Sequence, residues 1–96
     1  MITLSFYTTT GCHLCEQAIR IVNEVHDAKP RIAAYAQLEF VDIAEKDELI
    51  ETYGTRIPVL AARKDKQIFN KELSWPFDHQ AYIDFLNNAL AYLFAD

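Results

Sequence analysis

Two cysteines sit three positions apart in the run Thr8-Thr9-Thr10-Gly11-Cys12-His13-Leu14-Cys15, and they are the only ones in the chain. Side chains at i and i+3 of a helix are neighbours, and their backbone separation of about 5–6 Å falls within reach of a disulfide. Such a bond closes a very short loop and constrains little of the unfolded chain, so it suits being opened and closed better than stapling a fold. A cysteine at a helix mouth meets unpaired backbone N–H groups and the positive end of the helix dipole, which favour thiolate over thiol. Cys12 is therefore the expected nucleophile. Cys15 lies one turn inside on an apolar stripe, where burial disfavours its thiolate until a mixed disulfide has to be resolved. His13 stands between them as a candidate for tuning the Cys12 pKa through its imidazolium, and a solvent-facing histidine with little effect fits the position equally well.

Cys-x-x-Cys also serves as half of a zinc or iron–sulfur site, which wants four ligands. Beyond the thiols the chain offers only His13, His26 and His79, with no histidine pair at zinc-finger spacing. A module that binds or delivers zinc or an iron–sulfur cluster through the Cys12 and Cys15 thiolates, shared between two chains, is the alternative to redox chemistry. No metal ligand is assigned within one chain. A third reading is an interaction module whose cysteines are not turned over.

The elements that must hold the pair follow from patterning. Ile2, Leu4 and Phe6 alternate with Thr3, Ser5 and Tyr7, which predicts a strand over 2–7. The threonines and Gly11 break that pattern. Cys15, Ala18, Ile19, Val22 and Val25 then recur at helical spacing and predict one buried stripe over 15–25. Lys29-Pro30 closes this helix, and 31–37 reads either as a short helical extension restarted at Pro30 or as a loop. A second strand is expected over 38–43 and a short helix over 44–53, with Gly54 at the position after its C-cap. Ile57-Pro58 opens a third strand reaching residue 62, because proline suits a strand's start but not its middle. A charged turn over 63–66 should return the chain as an antiparallel strand over 67–71. Asp78 is a good N-cap for the last helix, with Phe77 stapled to Tyr82, and Tyr82, Phe85, Leu86, Ala89 and Leu93 facing the core. Trp75 is read as a core plug, with a cover over the redox site as the other option, and the five tyrosines as packing residues. Arg56, just before Ile57-Pro58, is a candidate charge near Cys12, against the default of a surface arginine.

Ninety-six residues, about half of them hydrophobic, suffice for one compact domain over 1–96. A net charge of −5 argues against nucleic acid as a partner, and the basic run Arg63-Lys64-Asp65-Lys66 reads as a solvated turn. No apolar stretch approaches the roughly 20 residues of a membrane span. No basic segment followed by a long apolar run opens the chain, so a monomer in the reducing cytoplasm, with no membrane partner, is expected.

Thr10-Gly11-Cys12-His13-Leu14-Cys15-Glu16, Val41-Asp42-Ile43, Tyr53-Gly54-Thr55-Arg56-Ile57-Pro58-Val59-Leu60 and Trp75-Pro76-Phe77-Asp78 together resemble the small glutaredoxin-like proteins of the thioredoxin superfamily. The resemblance covers nearly the whole chain. It implies an α/β fold in the order β-α-β-α-β-β-α, with a four-stranded mixed sheet flanked by helices on both faces. The first and last helices would share one face and the short middle helix would take the other. It implies a cis Ile57-Pro58 bond that sets the backbone of Ile57 beside the cysteines, free to pair with an extended substrate. It further implies a cytosolic thiol–disulfide oxidoreductase with no bound cofactor, acting on a disulfide-containing protein or on glutathione as co-substrate. The substrate groove would then involve Arg56, Ile57, Pro58 and Asp78. The chain departs from the family pattern in its His13-Leu14 spacer, in threonines where a lysine often precedes the first cysteine, in Arg56 where threonine is usual, and in lacking a Gly-Gly turn before the last helix. Arg56 is the candidate to replace the lost lysine as a partner for a carboxylate.

Overall fold

The computed structural model describes residues 1–95. Its first strand, β1 (Ile2–Thr8), buries Ile2, Leu4 and Phe6 and runs down the middle of the sheet. It pairs in parallel with β2 (Ala36–Asp42) and antiparallel with β3 (Val59–Lys64). The two helices α1 (His13–Ala28) and α4 (His79–Leu93) pack on the face to which Ile2, Leu4 and Phe6 point. Alternation sends Tyr7 to the other face, where its ring stacks on Tyr53 of α3 (Asp47–Tyr53), with centroids 4.1 Å apart and 17° between the planes. The mixed sheet is thus flanked by helices on both faces, as expected.

The helical stripes bury the residues whose spacing marked them, except that Ile19 is half-buried. Cys15, Ala18, Val22 and Val25 are buried on α1, and all five expected positions are buried on α4. Between these helices the Tyr82 hydroxyl, in the core, meets His26 Nε2 at 2.7 Å, so the most deeply placed phenol is not left unpaired. At the start of α4 the Asp78 carboxylate accepts the N–H of Ala81 at 2.8 Å, and the Phe77 ring lies 6.4 Å from that of Tyr82. The cap and the staple are both formed.

Several elements differ from the sequence expectation. The ambiguous stretch after Pro30 contains a single helical turn, α2 (Pro30–Ala33), with the proline at its first position, where its missing N–H costs nothing. The helix expected over 44–53 is broken at Lys46, whose extended backbone separates a 3-10 turn (Ile43–Glu45) from α3. Gly54 ends α3 with right-handed rather than left-handed geometry; a Cβ there would lie 2.5 Å from the carbonyl oxygen of Ile50, so close approach, not a positive φ, calls for glycine. The strand β3 runs on to Lys64, which narrows the hairpin turn to Asp65 and Lys66, with Asp65 at φ 55°.

The fourth place in the sheet is shared by two short pieces rather than filled by one strand over 67–71. β4 (Gln67–Ile68) and β5 (Leu73–Ser74) both pair with β3, the first with its end and the second with its start. Between them the chain turns inward. Phe69 donates its N–H to Ala62 at 2.9 Å and buries its ring against Phe85 and Tyr92 of α4. Burial of an aromatic ring stabilises by about 2 kcal/mol or more, which offsets the ladder bonds that two more strand residues would add.

The registers Thr8↔Asp42, Tyr7↔Val59 and Val59↔Ser74 gather the ends of β1, β2 and β5 and the start of β3 at one end of the sheet. The Cys12 loop, the Ile57-Pro58 segment and the Trp75-Pro76 segment all leave from there.

Candidate active site

Cys12 and Cys15 are joined as a disulfide with their Cα atoms 5.2 Å apart. Gly11, at φ 80°, makes the turn out of β1 that an L side chain would resist. Cys12 then takes the N-cap position of α1: its backbone is extended, and its Sγ accepts the N–H of Cys15 at 3.2 Å. Serine, threonine, aspartate or asparagine usually occupies such a cap. Placing sulfur there puts it against the unpaired N–H groups at the positive end of a 16-residue helix. Cys15 is buried and Cys12 half-buried, so the two sulfurs differ in solvent access as well as in position. The preceding loop is tied to the sheet by Thr9, whose hydroxyl donates to Asp42 Oδ1 at 3.1 Å, while the same oxygen accepts the N–H of Ala44 at 2.9 Å.

His13 is the first residue of α1 and is almost fully exposed; its Nδ1 faces Glu16 at 3.8 Å. It lines an open groove together with Glu16, Arg20 and Trp75, whereas both cysteines line a separate cavity of about 140 Å³ walled by Phe6, Ile19 and Phe40. Trp75 is half-buried in that first groove, edge-on to Phe77 at 5.2 Å, rather than plugged into the core. Its half-buried place follows from β5, which carries it to the cysteine end of the sheet and leaves Phe77 to enter the core.

The Ile57-Pro58 bond is cis, and so is Trp75-Pro76. Pro58 is buried and its carbonyl accepts the N–H of Trp75 at 3.1 Å. The Ile57 backbone is only half free for a substrate: its N–H already donates to the Tyr53 carbonyl at 3.1 Å, and its own carbonyl has no hydrogen bond to the described residues. Asp78 lies beside Pro76 and Phe77, with Oδ1 used as the cap of α4.

Arg56 is held on several sides. Its Nε donates to the Thr52 carbonyl at 3.1 Å, its Nη2 lies 3.4 Å from Glu72 Oε1, and its guanidinium carbon sits 4.9 Å from the centre of the Tyr53 ring. The Tyr53 hydroxyl donates to Glu72 Oε2 at 2.7 Å. Partial burial raises the Tyr53 pKa well above the usual phenol value, and the bond to Glu72 adds to the rise, so the hydroxyl keeps its proton. Neither Glu72 nor the hydroxyl of Tyr53 stood out in the sequence. Glu72 reaches Arg56 only because β5 pairs with the start of β3, and a two-residue strand leaves no periodic signal.

Among the described residues no group of three or more His, Cys, Asp and Glu side chains could hold a metal ion, so the thiolates would need ligands from elsewhere to form a metal centre. Among the same residues no helix is long and apolar enough to cross a membrane.

A family model described as Glutaredoxin-like domain (DUF836) matches residues 3–87. Among solved structures, the structural-genomics target protein XcR50 from X. campestris is 29% identical, with a TM-score of 0.66 over 90% of this chain and 97% of that one. A mutant thioredoxin from Halobacterium salinarum is 20% identical, with a TM-score of 0.66 over 92% of this chain and 74% of its own. The oxidised mitochondrial thioredoxin 3 from Saccharomyces cerevisiae is 16% identical, with a TM-score of 0.64 over 91% and 77%. These last two likenesses establish a thioredoxin fold. No curated protein matches the chain in sequence.

Proposed function

The chain belongs to the glutaredoxin-like domain family, and from that premise we propose that it is a cytoplasmic thiol–disulfide oxidoreductase working through Cys12 and Cys15. The observation that carries the reading is the Cys12 sulfur at the N-cap of α1, accepting the N–H of a partner cysteine one turn away. In the reduced protein the Cys12 thiolate attacks one sulfur of a substrate disulfide, forming a Cys12–substrate bond and expelling the other sulfur as a thiolate, which takes up a proton from water. Cys15 gives up its proton and its thiolate attacks Cys12 Sγ. The Cys12–Cys15 bond forms, and the second substrate sulfur leaves and is protonated. Two electrons and two protons have then passed from the dithiol to the substrate. Glutathione or a dithiol protein reopens the bond by the reverse exchange.

Arg56 and Asp78 are the groups proposed to orient the substrate, with the carbonyl of Ile57 accepting from an extended substrate backbone next to Pro58. The test is a pair of variants assayed with a small neutral disulfide. Cys12→Ser should lose reduction altogether, and Cys15→Ser should accumulate a mixed disulfide at Cys12 visible by mass spectrometry. Persistent activity in Cys12→Ser would sink the reading.

A further inference from the structure

We propose that Glu72 is a specificity-determining residue: its carboxylate occupies the Arg56 guanidinium and so disfavours substrates that present a carboxylate there, glutathione among them. The inference rests on the reading of Arg56 as a substrate-orienting group. Arg56 directly precedes Ile57 and Pro58, at the end of the sheet from which the Cys12 loop departs. A guanidinium in that place is suited to binding a carboxylate through two parallel N–H bonds. In this chain one face of it already lies against the Tyr53 ring, its Nε is spent on Thr52, and Nη2 points to Glu72 Oε1.

Glu72 does not reach that position by chance of a floppy side chain. Its other oxygen accepts from the Tyr53 hydroxyl, and the Tyr53 ring is pinned by stacking on Tyr7 of β1. The carboxylate is fixed before any substrate arrives, and the Arg56–Glu72 pair is electrically neutral as a unit. A substrate carboxylate must displace Glu72 or approach it as a like charge, and either course costs binding free energy. A disulfide with neutral or basic neighbours meets no such penalty, so the substrate class favoured by this site is a protein disulfide without an acidic flank.

The substitution Glu72→Gln keeps the size and the acceptor for Tyr53 while removing the charge. With Cys12-dependent reduction followed on two substrates, kcat/KM for glutathione disulfide should rise about two- to fivefold in Glu72→Gln, through KM, which is the size of effect that a partly exposed ion pair delivers. The rate with hydroxyethyl disulfide, which has no carboxylate, should stay unchanged. Tyr53→Phe, which frees the carboxylate without removing it, should move glutathione disulfide in the same direction by less, and Arg56→Gln combined with Glu72→Gln should abolish the gain. Binding of S-methylglutathione to the oxidised protein, measured by calorimetry or chemical-shift titration, reports the same preference without turnover and should tighten in Glu72→Gln. An unchanged ratio between the two disulfides together with unchanged S-methylglutathione binding would overturn the role of Glu72. Loss of all Cys12-dependent reduction in the unsubstituted protein would instead strike at the oxidoreductase reading, and the binding result would still judge Glu72.

Discussion

Asp78 carries two assignments that one substitution can separate. As the N-cap of α4 it satisfies the N–H of Ala81, and as a negative charge near Pro76 it is a proposed substrate contact. Asparagine caps a helix about as well as aspartate, whereas alanine at such a cap costs about 1 kcal/mol. Asp78→Ala should therefore lower the urea midpoint while Asp78→Asn leaves it in place. Any change in KM that Asp78→Asn shows belongs to the charge alone. His13 stands differently. It is almost fully exposed and faces Glu16, so its charge acts through water, where even a contact at about 4 Å is worth about 1 kcal/mol. The pH profile of Cys12 alkylation should move little in His13→Ala if the solvent-facing reading holds; a change of about tenfold or more in thiolate fraction at neutral pH would place His13 in the mechanism.

At the scale of elements, the contact between α1 and α4 has a polar stitch at its heart. Burial lowers the His26 pKa below the ordinary imidazole value, with Asp27 pulling the other way, and burial raises that of Tyr82, so the bond joins a neutral imidazole to a phenol that keeps its proton. On the acid side of about 6.5 the unfolded chain binds the proton more readily than the folded one. Stability should then hold level above that pH and decline as the pH falls through the lowered folded value. Chemical denaturation from pH 8 to pH 5 measures this, and His26→Gln should flatten the decline. Tyr82→Phe, which leaves the imidazole without its hydrogen-bond partner, should cost about 1 kcal/mol at neutral pH by the same measurement.

The long elements could be read from the sequence because period and burial coincide in them: Ile2, Leu4 and Phe6 mark β1, and the stripes of α1 and α4 mark their inner faces. The N-cap at Asp78 could be read because its chemistry is local. The division between β4 and β5 could not, since Phe69 leaves the ladder for a pocket made by α4, a partner distant in sequence. The site divides in the same manner. The cysteine pair and its place on α1 are set by neighbours in the chain, but the clamp on Arg56 depends on Tyr7, Tyr53 and Glu72 arriving from three separate parts of the chain.

Across the whole molecule the chain resists unfolding through one core shared by the sheet, α1 and α4, and the disulfide contributes only at its edge. Closing a loop of so few residues removes little entropy from the unfolded chain, worth about 2 kcal/mol at most. The melting curve of the reduced protein should accordingly lie no more than about 15 °C below that of the oxidised one, and a reduced form that unfolds at room temperature would contradict that picture. A domain that keeps its shape in both redox states can present the same surface to an oxidised partner and to the donor that reduces it afterwards.

The chain has a single tryptophan, and the split edge of the sheet has carried it to the rim of the groove that also holds His13 and Glu16. Indole emission responds to the polarity and the quenching groups around the ring, so the protein carries its own optical gauge at the working end. A change in emission colour or intensity as the cysteine pair is reduced would let the state of the pair be followed by light alone, with no label added and no second indole to confuse the signal.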